Sequence, residues 1–172
     1  MAVPPIPPKY TWAYTDWSRP SDPINVIFIN IYLEEIQNYL EIERNWEVPG
    51  LFASDQYIPV QNIINSSSQN LQLVKRIDSF HFTRYHARFW NLTRYIRDVR
   101  CIIVAGVHLD RFRGTGHVSA DFESIEDFFA NECRQNSVWQ VTYDEYEIGN
   151  RFAGYELPYN DGRATVVRRK RK

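Results

Sequence analysis

The sequence contains little cysteine and no long apolar run, and each of these shortages excludes a class of protein. The only two cysteines, Cys101 and Cys133, cannot form a disulfide-rich scaffold, and without a CxxC motif they do not indicate a cysteine-based zinc site. No apolar run approaches the roughly 18 residues that a membrane-spanning helix needs. The N-terminal segment MAVPPIPPK also lacks the apolar core of a secretory signal. We therefore predict a cytoplasmic protein with no transmembrane segment.

Composition and charge predict one folded domain. Hydrophobic residues make up 44% and aromatic residues 15% of the 172 residues, which is ample for one core. The formal net charge is −1, yet residues 168–172 are all basic, so the remainder is acidic. We predict an extended arm of proline and aromatic residues at 1–19, one domain at 20–167 with a loop insertion at about 52–73, and a disordered tail at 168–172. Because clustered positive charge attracts anionic surfaces, we expect the tail to contact a membrane surface or nucleic acid.

Two central stretches, residues 79–90 and 100–110, alternate in polarity as paired β-strands do. Each stretch places apolar side chains on one face and polar side chains on the other. If the chain reverses between them, antiparallel pairing brings His86 opposite His108 or two residues away from it. The polar face of the pair then carries imidazole and guanidinium groups.

The remaining segments predict two helices and further strands. Asn30 is expected to cap the first helix, and a capping box at Ser124 opens the second. The predicted elements are a strand at 24–29, a helix at 31–43, strands at 79–90 and 100–110, a helix at 124–135, and strands at 137–143 and 164–167. This order predicts an α+β fold, a ferredoxin-like two-layer sandwich with a mostly antiparallel sheet and two helices on one face.

Several short motifs across residues 20–145 occur in the order typical of one family. They are DPIN at 22–25, Trp46 after the first helix, HARFW at 86–90, AGVHLD at 105–110, and His117 followed by the acidic segment 121–127. Together they resemble the LssY C-terminal domain, a family without an established activity. Its members occur alone or behind membrane segments of the DedA or phosphatidic-acid-phosphatase type, which implies a cytoplasmic accessory domain here. The sequence departs from the family pattern at Ala120, because the aspartate usually found there stands at Asp121 instead.

The histidine, arginine and aspartate side chains of this central region allow three interpretations. They form a structural network in which each satisfies another. Alternatively, Arg84, Arg88 and the backbone of residues 114–116 bind an anionic small molecule or a lipid head group, with the histidines as hydrogen-bonding or acid–base groups. In the third interpretation, imidazoles and an acid hold a divalent metal such as zinc, which ionises a bound water, although the two arginines would repel a cation.

Each interpretation depends on a defined set of residues. The ligand-binding candidates are Arg84, His86, Arg88, His108, Asp110, Arg113 and His117. The metal-ligand candidates are His86, His108, His117 and Asp121, and the three histidines are also the candidates for catalysis. We predict an accessory module that binds an anion without a cofactor. The alternative is a metal-dependent hydrolase that acts on a phosphorylated or lipid-related substrate.

Overall fold

The computed structural model describes residues 12–14, 20–49, 71–78, 83–93, 100–113, 116–145 and 163–170. Within these ranges the chain forms strands and helices in the following order: β1 (Trp12–Tyr14), β2 (Pro20–Pro23), β3 (Val26–Ile29), α1 (Leu33–Asn38), a π-helical segment (Tyr39–Glu43), β4 (Leu71–Arg76), β5 (Thr83–Asn91), β6 (Ile102–Arg113), β7 (Gly116–Ala120), α2 (Phe122–Arg134), β8 (Trp139–Glu145) and β9 (Arg163–Arg169).

Most of the described strands belong to one sheet. Six of them follow the order β4-β5-β6-β3-β9-β8, and β7 pairs with β6 beyond the end of β3. Neighbouring strands are antiparallel except for β3 and β9, which are parallel. The predicted α+β class, with a mostly antiparallel sheet and two helices, is therefore confirmed.

The ferredoxin-like strand order is not confirmed, because β9 lies between β3 and β8. In the predicted arrangement the strand that follows α2 would pair directly with β3. Instead β9 pairs with β3 from Thr165 to Arg168 and with β8 along its whole length. Its central residues ATVV are all buried, as a strand inside a sheet requires. The C-terminal strand thus takes the place next to β3.

The two helices pack on one face of the sheet, which we call the helical face. The ring of Phe28 on β3 lies 6.3 Å from that of Phe129 on α2 and 5.9 Å from that of Trp139 on β8. All three rings are buried, and burial of each side chain stabilises the fold by about 1.5–3 kcal/mol. Ala87 on β5 and Val107 on β6 lie opposite each other and belong to the same core. The alternate positions of these two strands therefore face away from the helices.

The first helix begins later than predicted, because Asn30 has another role. Tyr32 is the N-cap of α1, and the helix continues directly into the π-helical segment. Asn30 takes a left-handed conformation with φ 57°, which asparagine tolerates better than most residues. Its side-chain oxygen accepts hydrogen bonds from the backbone N–H groups of Arg100 and Cys101 at 3.1 and 3.4 Å. Asn30 therefore joins the end of β3 to the start of β6.

Two strands lie where the sequence predicted loops. The strand β4 includes residues 71–73 of the insertion predicted at 52–73, and the rest of that insertion lies outside the described residues. The strand β7 begins at Gly116, between the strand predicted at 100–110 and the helix predicted at 124–135, where the sequence predicts no strand or helix. Both strands are short and of mixed polarity, so their alternation gives a weak signal. Pairing with β5 and β6 supplies the backbone hydrogen bonds that stabilise them.

The basic residues near the C-terminus also belong to the sheet. Arg168 and Arg169 continue β9 and pair with β8, and the backbone N–H of Lys170 donates to the carbonyl oxygen of Val138 at 2.8 Å. The prediction of a disordered tail at 168–172 is therefore wrong for its first three residues, because the backbone of β8 and Val138 provides hydrogen-bond partners. The last two residues lie outside the described part of the chain.

The N-terminal arm predicted at residues 1–19 is described only at Trp12–Tyr14. There the backbone forms β1, which pairs with β2 in a separate two-stranded antiparallel sheet. None of the helices in the described ranges is long and apolar enough to cross a membrane.

Candidate functional site

The candidate site lies on the side of the β5–β6 pair that faces away from the helices, which we call the polar face. The strand register places His86 directly opposite His108, which is one of the two registers that the sequence predicted. One rung along, Arg84 lies opposite Asp110. Because residues two apart on a strand share a face, these four side chains are neighbours.

These four side chains are buried. His86 is 1% exposed, His108 0% and Asp110 3%, and Arg84 is also buried. Burial of polar groups costs free energy unless each is paired, so the partners of these groups decide what the site can do.

Asp110 lies between the two imidazoles. The Nδ1 atom of His86 is 2.9 Å from Oδ2 of Asp110, and the Nε2 atom of His108 is 2.9 Å from Oδ1. The two imidazole rings are 4.9 Å apart at an angle of 66°. Asp110 therefore offers one carboxylate oxygen to each histidine.

The short contacts between Asp110 and the two imidazoles do not have the geometry of hydrogen bonds. No nitrogen of His86 or His108 has a hydrogen-bond partner within the described part of the chain. The separations of 2.9 Å are within hydrogen-bond distance, so these contacts fall short in geometry and not in distance. The cluster of His86, His108 and Asp110 thus brings donor atoms close together without hydrogen bonds of standard geometry between them.

Arg84 fixes the carboxylate of Asp110. Its Nε and Nη2 atoms each donate a hydrogen bond of 3.1 Å to Oδ2. This buried pair neutralises the charge of Asp110. The other carboxylate oxygen, Oδ1, lies beside His108. Arg84 was predicted to bind a ligand, but in the structure its guanidinium is committed to Asp110.

The surroundings determine the charges of the cluster. Burial, and then the positive charge of Arg88, lower the pKa of His86 to about 3, so this imidazole is neutral at pH 7. Burial acts to raise the pKa of the Asp110 carboxyl, but its contacts with His86 and His108 outweigh burial and hold that pKa well below its usual range. The cluster at neutral pH therefore combines a carboxylate with at least one neutral imidazole.

This donor set can hold a metal ion. One ligand atom from each of His86, His108 and Asp110 can be chosen so that all three lie within 4.8 Å of one another. Two ligands of a metal at bond lengths of about 2.0–2.2 Å are roughly 3–3.5 Å apart, close to the nitrogen–oxygen distances found here. The hydrogen bonds from Arg84 resemble the outer contacts that commonly orient a ligating carboxylate.

Among the side chains that the structure describes, Asp121 and Arg88 are not members of this cluster. The exposed carboxylate of Asp121 pairs with Arg111 at 2.6 Å. Arg88 is half-buried on the polar face, opposite Gly106. The backbones of Arg113 and His117 lie in β6 and β7, and their side chains are outside the described part of the chain.

Two residues beside His108 were not predicted as part of the site. The ring of Phe122, the first residue of α2, lies 5.3 Å from the imidazole of His108. The side chain of Asn25 bonds to the backbone of Val107, the preceding residue. The signal for Asn25 was present, since it is a polar residue within an apolar run. The signal for Phe122 was absent, because an aromatic residue at a helix start is common.

No protein-family model matches the chain, and no curated protein or solved structure matches it either. The resemblance to the LssY C-terminal domain therefore rests on the sequence motifs alone. Two of those motifs, HARFW at 86–90 and AGVHLD at 105–110, supply His86, His108 and Asp110.

Proposed function

We propose that this protein binds one divalent transition-metal ion through His86, His108 and Asp110. The observation that carries the proposal is the convergence of three buried donor groups. Each imidazole has a nitrogen 2.9 Å from an oxygen of Asp110, and within the described residues no ring nitrogen makes a hydrogen bond of standard geometry. Two ligands of one ion lie about this far apart, because each bonds to the ion and not to the other.

Burial strengthens the proposal. Each neutral imidazole carries one N–H donor and one acceptor nitrogen, and a buried group left unsatisfied costs about 1–3 kcal/mol. Across the described residues, none of the ring nitrogens of His86 and His108 is satisfied by a hydrogen bond. A metal ion would engage one nitrogen of each ring and so offset part of this cost.

The donor types restrict the choice of ion. Two imidazole nitrogens and one carboxylate oxygen suit zinc and also Fe²⁺, whereas magnesium and calcium prefer oxygen ligands only. Such a set of three protein ligands leaves positions for water or substrate in the metal sites of many enzymes. The proposal therefore covers a catalytic ion as well as a structural one.

A metal-dependent hydrolase of a phosphorylated or lipid-related substrate is the second candidate function. It is favoured by Arg88, which lies two residues from His86 on the polar face, where Gly106 opposite it contributes no side chain. A guanidinium beside a metal-bound water suits an anionic substrate, because arginine binds phosphate in a bidentate manner. Anion binding without a metal is less favoured, since Arg84 is already bonded to Asp110.

Elemental analysis of the full chain, purified without a polyhistidine tag, tests the metal proposal. We expect a stoichiometric ion and a higher melting temperature when Zn²⁺ or Fe²⁺ is restored to chelated protein. His108→Gln should abolish both effects. Asp121→Asn is the matched control, because Asp121 is an acid near the site that contacts Arg111 instead. If the folded wild-type chain carries no ion and shows no thermal shift with these metals, the proposal of a metal site is wrong. The cluster is then a structural network.

Turnover of phosphate mono- and diesters by the metal-loaded protein tests the second candidate. Arg88→Ala should weaken substrate binding while the ion is retained, and Arg88→Lys should restore only part of it, because a lysine cannot form the bidentate contact. If Arg88→Ala does not change turnover, Arg88 does not bind the substrate, and the argument for an anionic substrate fails.

A further inference from the structure

Among the strands that the structure describes, β6 has no partner along part of one edge, next to the cluster of His86, His108 and Asp110. On that edge β3 pairs with residues 102–105, and β7 pairs with residues 109–113. Among the described strands, none pairs with residues 106–108 on this side. This gap includes the backbone of His108, whose other edge is paired with His86 on β5.

The side chain of Asn25 fills this gap. Its Nδ2 atom donates to the carbonyl oxygen of Val107 at 3.0 Å, and its Oδ1 atom accepts from the N–H of Val107 at 2.9 Å. The amide thus satisfies the same backbone donor and acceptor that a neighbouring strand would. Asn25 is fully buried, so water does not compete for these bonds.

The backbone of Asn25 is itself held on both sides. Its N–H donates to the carbonyl oxygen of Ala105 at 3.1 Å, and its carbonyl oxygen accepts from the N–H of Thr165 at 2.9 Å. The side-chain amide is therefore anchored to β6 and β9 before it reaches Val107. An amide anchored in this way can fix the position of a neighbouring strand.

We propose that Asn25 is a positioning residue for His108, and this inference rests on the metal site proposed above. Asn25 holds Val107 on one edge of β6, and the pairing with β5 holds His108 on the other edge. Together they fix the backbone that aims the His108 imidazole at the ion. A ligand must be held to within about 0.5 Å for tight binding, and loss of such supporting contacts typically weakens metal affinity 10- to 100-fold.

Only an asparagine side chain matches the requirements of this position. An aspartate accepts from the Val107 N–H but cannot donate to its carbonyl oxygen. A leucine has a similar volume and makes neither bond. Asn25→Asp and Asn25→Leu therefore form a graded series that removes one and then both of the hydrogen bonds.

The test compares metal affinity with stability in the full chain. Zn²⁺ affinity is measured by competition with a chromophoric chelator, and the melting temperature is measured in metal-free protein. We expect Asn25→Leu to weaken Zn²⁺ binding about 10- to 100-fold. Asn25→Asp should weaken it as well, because its buried carboxylate would face the carbonyl oxygen of Val107 without a partner. The control is Tyr39→Phe, which removes a buried 2.7 Å hydrogen bond from the Tyr39 hydroxyl to the backbone carbonyl oxygen of Glu132 and should lower the melting temperature without changing Zn²⁺ affinity.

The outcomes separate this inference from the metal proposal. If the wild type binds Zn²⁺ and the folded Asn25 variants bind it equally well, Asn25 has no positioning role while the metal site stands. If Tyr39→Phe loses as much Zn²⁺ affinity as Asn25→Leu at the same melting temperature, Asn25 acts through stability alone. If Asn25→Leu does not fold, Asn25→Asp decides between these results. A wild type that binds no Zn²⁺, Fe²⁺ or other divalent ion overturns both proposals.

Discussion

Arg84 and Asp110 face each other across β5 and β6, and the buried guanidinium donates two hydrogen bonds of 3.1 Å to one carboxylate oxygen. We predict that Arg84→Met destabilises the metal-free protein by about 3–5 kcal/mol, because it leaves the buried carboxylate of Asp110 without its cation. A bound metal ion should restore part of this loss, since it supplies positive charge to the same carboxylate. Denaturant unfolding with and without Zn²⁺ measures both effects.

Arg111→Met is the control for this prediction. Arg111 pairs with Asp121 at the surface, where an ion pair contributes about 0–1 kcal/mol. Zn²⁺ should stabilise Arg111→Met by the same amount as it stabilises the wild type. Equal losses in Arg84→Met and Arg111→Met would contradict the importance of the buried pair, and a loss that Zn²⁺ does not reduce would count against Asp110 as a ligand.

The pairing of the two central strands could be predicted from the sequence. Alternation of polarity in residues 79–90 and 100–110 assigns each side chain to a face, and a short connection favours antiparallel neighbours. These two facts predict that His86 lies opposite His108 or two residues away from it, and the structure shows the first of these two registers. The helical face could be predicted for the same reason, because apolar side chains occupy one set of alternate positions.

The neighbours of each strand could not be predicted in the same way. A period of two tells which face a residue occupies but not which strand lies beside it. For that reason the parallel insertion of β9 beside β3 was missed. The bonds of Asn25 to Val107 cross 82 residues of sequence, and no local pattern specifies such a contact. The commitment of Arg84 to Asp110 likewise became evident only from the distances.

The last residues of β9 give a second prediction. Deletion of residues 168–172 should lower the stability by about 1–3 kcal/mol, because it removes the pairing of Arg168 and Arg169 with β8 and several backbone hydrogen bonds. A shorter deletion of residues 171–172 is the control, since it leaves the described part of β9 complete. The melting temperatures of the two truncated proteins give the comparison. If both match the full chain, the terminal pairs of β9 contribute nothing to stability.

Glu132 on α2 is a buried carboxylate that joins three separate parts of the chain. It accepts hydrogen bonds from the indole N–H of Trp46 at 2.7 Å, from Lys75 at 3.0 and 3.1 Å, and from Arg44 at 2.8 and 3.3 Å. Burial acts to raise the pKa of Glu132, but these hydrogen bonds outweigh it and hold the pKa below the usual value of 4.5. The ionised carboxylate is therefore the form that stabilises the fold.

The lowered pKa of Glu132 sets the direction of a pH effect. In the unfolded chain this carboxyl takes up a proton near pH 4.5, whereas in the folded chain it does so only at lower pH. Its contribution to the free energy of unfolding is thus fully present above about pH 5 and is lost as the pH falls below 4.5. We predict that Glu132→Gln lowers the stability at pH 7 by about 2 kcal/mol, since a charge-assisted hydrogen bond contributes roughly 1.5–3 kcal/mol.

Glu132→Gln should also make the stability fall less steeply between pH 5 and pH 3, because glutamine does not titrate. Some acid sensitivity should remain, since the pKa of Asp110 is also held low. Urea unfolding at a series of pH values measures both the loss at pH 7 and the change in slope. Glu34→Gln on the exposed side of α1 is the control and should alter the stability at pH 7 by less than about 0.5 kcal/mol. A Glu132→Gln protein with the wild-type pH dependence would show that this carboxylate is not the group whose protonation weakens the fold.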